Sequence, residues 1–274
     1  MPRQKTKSDS AGPVICSANM RRLRASVRLL LVILLTFLHV LTLLAGMLLL
    51  APLPRIRARW RMFIFRSWSR TLLPVMGVEV EVVGTPPETP FLLVSNHLSY
   101  LDIPVLGSQV GAVFVAKSEI SSWPGIGLMC RAINTIFIDR TLSRDLPRVM
   151  KEIDREMSHG MGVVLFVEGT SSKGATVLPF RPSLLEPAAR SETPVSYAAL
   201  SYRTPEGEPP AHLAVCWWGG VAFGPHAREF AGLKRIHARI AFGEEAIHDA
   251  DRKQLARRLR EAMLEKFEPV VVEE

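Results

Sequence analysis

The pattern of apolar and polar positions along the chain predicts three segments. Residues 1–25 are polar, basic and poor in side chains that build a core, which predicts a disordered tail. Residues 26–74 combine a long apolar run with an arginine-rich stretch, and they predict a membrane-anchoring helical segment. Residues 75–274 alternate short apolar runs with polar and turn-forming residues, as a globular domain does.

The apolar run from Leu29 to Pro54 contains no Asp, Glu, Lys or Arg. A helix of about 20 residues spans the hydrocarbon core of a bilayer, so this run is long enough to cross it. Arginines flank both ends, between residues 21 and 28 and between residues 55 and 61, and the positive-inside rule therefore assigns no orientation. A single span and a helical hairpin with both ends on the cytosolic face are equal alternatives. A cleaved signal peptide fits less well, because the run is too long and lacks a small-residue cleavage site.

The segment after this run predicts an amphipathic helix with one apolar stripe. Apolar side chains recur at every fourth position, and most of the arginines lie off the stripe. Aromatic side chains on one face and guanidinium groups on the other are typical of a helix in the head-group layer of a membrane. A core helix with one solvated face is the alternative. The stripe consists of Ile56, Trp60, Ile64, Trp68 and Leu72.

For residues 75–274 the pattern predicts an α/β fold, with a mixed, largely parallel sheet flanked by helices and preceded by the N-terminal membrane-anchoring segment. The first strand alternates with period two, as a half-exposed edge strand does. The predicted strands are Val78–Val82, Phe91–Val94, Val113–Ala116, Thr135–Ile138, Val163–Val167, Val195–Leu200, Leu213–Trp217 and Ile236–Phe242. The predicted helices are Ile103–Ser108, Ile126–Ala132, Arg144–Ser158 and Asp251–Phe267.

A histidine and an aspartate follow the second predicted strand. His97 and Asp102 lie in the segment SNHLSYLD, at the kind of position where α/β proteins bind ligands. If a helix begins there, Asp102 can reach one nitrogen of His97, fix its tautomer and leave the other nitrogen as a base toward a hydroxyl. Taken alone, such a pair is more often a structural hydrogen bond than a catalytic dyad.

Two further segments end predicted strands with groups that bind anions. Arg140, in NTIFIDR, can bind a phosphate or a carboxylate through two hydrogen bonds. Glu168–Gly174, in VVLFVEGTSSKG, offers backbone N–H groups, hydroxyls and Lys173 to an anion. A surface salt bridge and a tight polar turn are the structural alternatives for these two segments.

The order NHLSYLD, IFIDR, FVEGTSS and TPV, downstream of an apolar anchor, resembles the glycerolipid acyltransferase family, which includes the bacterial 1-acylglycerol-3-phosphate acyltransferases. The resemblance covers roughly Val75 to Leu200. It implies that His97 deprotonates the acceptor hydroxyl and that Asp102 orients His97. It further implies direct attack of that hydroxyl on the thioester of acyl-CoA or acyl-carrier protein, with no acyl-enzyme intermediate. The residues that it assigns to acceptor binding are Asn96, Arg140, Glu168, Gly169, Thr170 and Ser171.

The third block departs from the common form of the family, P-E-G-T-R. Val167 stands in place of the proline and Ser171 in place of the arginine, which removes a phosphate contact. The form EGTSS followed by LPF resembles a subgroup that includes lyso-ornithine lipid acyltransferases. The expected reaction is acyl transfer to 1-acylglycerol-3-phosphate, which forms phosphatidate, and lyso-ornithine lipid is the alternative acceptor. A membrane-tethered lipid-binding protein without catalysis is the second alternative, and the intact His97/Asp102 pair argues against it.

The formal net charge of +8 predicts a negatively charged partner. The arginines concentrate around the apolar run and not on a globular face, so an anionic membrane surface is expected and nucleic acid is not. Cys16, Cys130 and Cys216 lie far apart without metal-ligand spacing, and we expect neither a metal nor another cofactor. The predicted location is the inner, cytoplasmic membrane, with the catalytic domain facing the cytosol.

Overall fold

The fold is that of a computed structural model, which describes residues 12–123, 126–139 and 145–272. Seven strands in these residues form one sheet of order β1-β7-β6-β2-β5-β3-β4. All neighbouring strands run parallel except β6 and β7, which are antiparallel. The strands are β1 (Val78–Val83), β2 (Leu92–Ser95), β3 (Ala112–Lys117), β4 (Ile136–Ile138), β5 (Gly162–Phe166), β6 (Val195–Arg203) and β7 (Ile236–Phe242).

Helices cover both faces of the sheet, and each face has its own buried apolar cluster. This arrangement confirms the predicted mixed, largely parallel α/β fold. Within the described residues the helices are α1 (Gly12–Leu49), α2 (Pro54–Val75), α3 (Asp102–Gln109), α4 (Ile126–Ala132), α5 (Leu146–Ser158), α6 (Glu186–Arg190), α7 (Ala211–Ala214), α8 (Phe223–Gly232) and α9 (Arg252–Lys266).

One predicted strand is wrong. The apolar stretch Leu213–Trp217 is not part of the sheet, because a short helix, α7, begins at Ala211 and the chain then turns irregularly. Pro209 and Pro210 precede this helix, and a proline favours the start of a helix because it lacks the N–H that a first turn leaves unpaired. Helices α6 and α8 were not predicted, since both are short and contain proline. The predicted start of α5 at Arg144 lies outside the described residues.

Helices α1 and α2 form an antiparallel hairpin. Trp68 donates to Thr36 at 3.0 Å, and Trp60, further toward the tip, lies 3.4 Å from the carbonyl of Leu43. Helix α1 begins at Gly12, within the segment 1–25 for which a disordered tail is expected, and residues 1–11 lie outside the described part. Tertiary contacts explain the difference: Ala25 is buried, and Arg24 donates to the carbonyl of Gly232 at the end of α8 at 3.0 Å.

One face of α2 packs into the domain. The packing is therefore continuous across residue 75, where the expected α/β domain begins. Met62, Phe65 and Leu73 are buried in the apolar clusters that border the sheet. Helix α3 approaches so closely that a Cβ atom on Gly107 would lie 2.4 Å from the ring of Phe65. The predicted stripe is only partly correct, because Ile64 and Leu72 are buried but Ile56 is exposed.

Apolar side chains cover the outward face of α1. Among the described helices, the part of α1 from Asn19 to Leu49 is the one that is long and apolar enough to cross a membrane, by length and composition. Leu48 and Leu49, at the tip of the hairpin, are each 78% exposed. Exposed apolar surface of this extent is typical of a site that contacts a membrane or a partner.

Candidate active site

His97 and Asp102 lie at the carboxyl edge of the sheet, where β2 gives way to α3. β2 is buried along its whole length and ends at Ser95, two residues before His97. Asp102 is the first residue of α3, where the partial positive charge of the helix N-terminus stabilises a carboxylate. The local sequence thus brings the two side chains together, as expected from their spacing.

The imidazole of His97 is oriented by two contacts. Its Nδ1 lies 2.6 Å from Asp102 Oδ2, and its ring stacks on Phe166 with the ring centres 4.2 Å apart. Because a carboxylate accepts hydrogen bonds, Nδ1 carries the proton and Nε2 of the neutral ring keeps its lone pair. The His97 side chain is 23% exposed. The arrangement is competent for general base chemistry.

Asp102 is completely buried and accepts four hydrogen bonds within the described residues. Oδ2 accepts from His97 Nδ1 at 2.6 Å, from the backbone N–H of Leu98 at 2.7 Å and from that of Ser99 at 3.0 Å. Oδ1 accepts from the hydroxyl of Tyr202 at 2.5 Å. A carboxylate has about four lone-pair sites, so these donors satisfy the buried charge in full.

Glu168 braces the His97 loop. Its Oε2 accepts from the backbone N–H of His97 at 3.1 Å, and its Oε1 accepts from that of Leu178 at 2.9 Å. Burial raises the pKa of Glu168 to about 8, and the two N–H donors oppose that rise. Both oxygens are thus bonded to backbone N–H groups, so Glu168 supports the His97 loop, and its expected role in acceptor binding stays a prediction.

Asn96 also has a structural role, and its expected role in acceptor binding stays a prediction. Its side-chain amide is completely buried, donates to the carbonyl of Leu200 at 3.0 Å and accepts from the N–H of Leu200 at 2.7 Å. This pair of bonds continues the β2–β6 pairing beyond the end of β2. Each of the two polar atoms of the amide therefore has a backbone partner.

The loop after Glu168 lies against the His97 loop. Ser172 N–H donates to the carbonyl of His97 at 3.0 Å, and Ser171 Oγ donates to the carbonyl of Trp217 at 2.5 Å. Thr170 is exposed. Gly169 has a φ of +76° and a Cβ atom on it would lie 2.4 Å from Nε of Arg181, so a side chain there would be strained and crowded.

Arg140 and Arg181 are the two arginines considered for binding an anionic head group. Arg140 lies outside the described residues, and its predicted contact with the acceptor stays a prediction. Arg181 is exposed, covers the backbone of Gly169 and has no side-chain ion pair or hydrogen bond within the described ranges. A cation in that place is available to an anionic head group. The proximity of LPFR to the third block is the sequence feature that brings Arg181 there.

Sequence reasoning missed Tyr202 and Phe166 as partners of the candidate dyad. Phe166 ends β5, and the sequence pattern indicates its ring only as part of an apolar strand. Tyr202 is separated from Asp102 by 100 positions and belongs to β6, the fourth strand after Asp102 along the chain. No local pattern indicates such a contact.

An apolar cavity of about 320 Å³ opens beside the block that contains His97 and Asp102. It lies between α1, α2, α3, α4 and α8, and Tyr100 and Leu101 of the block contribute to its wall. Its other wall residues include Leu29, Phe65 and Phe230. A cavity with these walls suits an alkyl chain. Among the described residues, no group of three or more His, Cys, Asp and Glu side chains is placed to hold a metal ion.

Comparison with known proteins identifies a profile and several relatives. The sequence profile named Acyltransferase matches residues 78–200. A lyso-ornithine lipid O-acyltransferase of Rhizobium meliloti (strain 1021) is 34% identical over 210 residues, which are 72% of this chain and 72% of that protein. One of Brucella abortus (strain 2308) is 33% identical over 217 residues, 74% of this chain and 81% of that protein.

Other similar proteins carry a different name. A 1-acyl-sn-glycerol-3-phosphate acyltransferase of Neisseria meningitidis serogroup B is 29% identical over 206 residues, 71% of this chain and 77% of that protein. The crystal structure of the 1-acyl-sn-glycerophosphate (LPA) acyltransferase PlsC from Thermotoga maritima superposes with a TM-score of 0.63 at 19% identity. The match covers 90% of this chain and 97% of that chain, and it supports the fold.

Proposed function

Because this chain belongs to the family of lysolipid O-acyltransferases, we propose that it transfers a fatty acyl group to the hydroxyl of lyso-ornithine lipid. The observation that carries the choice of acceptor is Ser171. Where the common form of the third block has an arginine, this hydroxyl donates to a backbone carbonyl and adds no positive charge. The relatives from Rhizobium and Brucella, which are named for that acceptor, agree with this choice.

Charge also distinguishes the two acceptors. A phosphate monoester carries about −1.5 to −2 near neutral pH and is best bound by several cations. The ornithine head group offers at most a single carboxylate together with an ammonium group. A site that has lost one guanidinium is better matched to that smaller negative charge. This reverses the order of acceptors expected from the motifs alone.

The geometry of His97 supports the following mechanism. Nε2 takes the proton of the acceptor hydroxyl while the hydroxyl oxygen attacks the carbonyl carbon of the donor thioester. The tetrahedral intermediate collapses as the C–S bond breaks, and His97 returns the proton to the departing thiolate. Asp102 stabilises the protonated imidazole during these steps. The donor is a thioester of coenzyme A or of acyl-carrier protein, and no acyl group is attached to the enzyme.

The hairpin supports a location at a membrane. Helices α1 and α2 are antiparallel, so the exposed Leu48 and Leu49 lie at the same end of the hairpin as the arginine-rich start of α2. We infer that the tip inserts into the cytoplasmic membrane and that the domain faces the cytosol. Exposed arginines beside the membrane would attract anionic lipids.

Transfer to lysophosphatidate is the second candidate. The Neisseria relative is named for that acceptor, and Arg181 could bind its phosphate. A lipid-binding protein without catalysis is the third, and the complete set of donors around Asp102 argues against it.

A product assay separates these functions. Purified protein is offered lyso-ornithine lipid or lysophosphatidate, each with acyl-CoA and with acyl-carrier protein, and the lipid products are identified by mass spectrometry. We expect acylation of lyso-ornithine lipid with a larger kcat/KM, and a kcat lowered by about 10²–10⁴-fold with a His97→Ala variant. A larger kcat/KM for lysophosphatidate would support the second candidate, and no product from any combination would support the third.

A further inference from the structure

We propose that Tyr202 is a positioning residue of the acyl transfer, which holds the Asp102 carboxylate in the plane that keeps His97 oriented as a base. The inference rests on the proposed function of His97. The hydroxyl of Tyr202 donates to Asp102 Oδ1 at 2.5 Å, and both side chains are buried. A strong hydrogen bond to a carboxylate inside a protein is short and directional.

The two oxygens of Asp102 are anchored from opposite sides. Oδ2 accepts from His97 and from two backbone N–H groups, whereas Oδ1 accepts from Tyr202 alone among the described residues. Rotation of the carboxylate about its Cβ–Cγ bond would break both sets of bonds. Without the phenol, the carboxylate is held at one oxygen only and can tilt about it. The line from Oδ2 to Nδ1 would then lose its alignment.

Hydrogen bonds near Tyr202 tie its strand to the loop that carries His97. Tyr202 lies in β6, two residues beyond Leu200, whose backbone N–H and C=O are both bound by the amide of Asn96. Asn96 directly precedes His97 in the chain. The two hydrogen bonds between Asn96 and Leu200 therefore fix the distance between β6 and the His97 loop. This fixed distance explains why the phenol of Tyr202 on β6 can support the carboxylate of Asp102 on α3.

The phenol stays protonated and available as a donor. Burial, and next the charge of Asp102, raise the pKa of Tyr202 well above its ordinary value. The other titratable groups around Asp102 are His97, Glu168 and Cys216. Burial raises the pKa of Cys216 above its ordinary value, so this thiol stays neutral, and the pKa of Glu168 of about 8 places its charge change on the basic side.

The test is the pH dependence of kcat/KM for Tyr202→Phe, which removes the hydroxyl and keeps the ring. We expect kcat/KM at its optimum to fall about tenfold through loss of alignment, with both KM values within about twofold. The acid limb of the profile should move to higher pH by roughly half a unit to one unit, because an unshared carboxylate charge stabilises the protonated imidazole more strongly. Loss of packing alone would lower activity without moving this limb.

The matched control is Tyr197→Phe, on the same strand. The hydroxyl of Tyr197 makes no hydrogen bond to the site in the described part of the chain, so this variant should keep the wild-type profile. An unmoved acid limb in a folded Tyr202→Phe protein, or the same shift in both variants, would overturn the proposal. A fully active His97→Ala protein would instead overturn the proposed function.

A second measurement does not depend on the folding of Tyr202→Phe. The chain has three tyrosines, so a protein labelled with fluorotyrosine gives three ¹⁹F signals, two of which are assigned with Tyr100→Phe and Tyr197→Phe. We expect the Tyr202 signal to titrate with the midpoint of the acid limb and to stop titrating in His97→Ala. A Tyr202 signal that ignores this transition would contradict the coupling between the phenol and the base.

Discussion

Replacing Asp102 by asparagine removes a buried negative charge and keeps the shape of the side chain. From the sequence alone, this change is expected to favour the wrong tautomer of His97. The structure predicts another outcome. Three N–H donors converge on Oδ2, so the amide oxygen of asparagine must occupy that place, and its NH₂ group then faces Tyr202. A hydroxyl can accept as well as donate, so Tyr202 can rotate its proton away and the His97 tautomer is retained.

The size of the effect follows from the kind of hydrogen bond that is lost. A net contribution of about 1.5–3 kcal/mol from a bond to a charged group is replaced by about 0.5–1.5 kcal/mol from a neutral one. The difference of about 1–1.5 kcal/mol corresponds to a loss of roughly 5- to 15-fold in kcat/KM. Inversion of the tautomer would cost far more, on the order of 10⁴-fold in a comparable triad.

The assay is the initial rate of acyl transfer, measured over roughly two pH units on either side of neutral. The proteins compared are wild type, Asp102→Asn and His97→Ala. The acid limb of Asp102→Asn should move to lower pH, because the protonated imidazole loses its negative partner. This shift is opposite to that expected for Tyr202→Phe. Asp154→Asn is the control, since Asp154 is exposed on α5, away from the site.

Two results would refute this reasoning. A loss in Asp102→Asn as large as that in His97→Ala, in a folded protein, would mean that the tautomer inverts or that the loop collapses. Unchanged kinetics would mean that the charge of Asp102 does not assist the base.

Further changes test the other parts of the molecule. His97→Ala should lower kcat by about 10²–10⁴-fold with donor binding nearly intact, measured by initial rates and donor titration, and a stable acyl-enzyme found by mass spectrometry would contradict direct attack. Ser171→Arg should raise the ratio of kcat/KM for lysophosphatidate to that for lyso-ornithine lipid by about tenfold, and an unchanged ratio would mean that position 171 does not contact the head group. Glu168 has an ordinary pKa of 4.5 that rises to about 8 on folding, so its contribution to stability is full below 4.5 and is lost as pH rises through 8. The melting temperature of the wild type should therefore fall by several degrees over that window, and Glu168→Gln should flatten the dependence. Changing both Leu48 and Leu49 to Glu should weaken binding to anionic vesicles by about 10²-fold or more in a flotation assay, whereas Leu213→Glu, an exposed leucine on α7, should not.

Local sequence determined much of this protein. Alternation and run length predicted most of the strands, because the period of side chains along a strand and the burial of a parallel sheet are local properties. The spacing of His97 and Asp102 predicted their contact, since both lie within one turn of chain between the end of β2 and the start of α3. The order of the blocks indicated the acyltransferase family, which the relatives confirm.

Only the tertiary structure decided which polar groups serve the base and which are left for a substrate. Asn96 binds Leu200, Glu168 binds the His97 loop and Tyr202 binds Asp102, across 104, 71 and 100 positions of sequence. These contacts depend on β6 and β5 lying on either side of β2, and strand order is set by packing between distant segments and not by local periodicity. For the same reason the arginine-rich stretch predicted an interfacial helix, whereas α3 and the sheet bury one face of α2. The sequence gives the chemical type of each side chain, whereas the tertiary fold determines which groups it contacts.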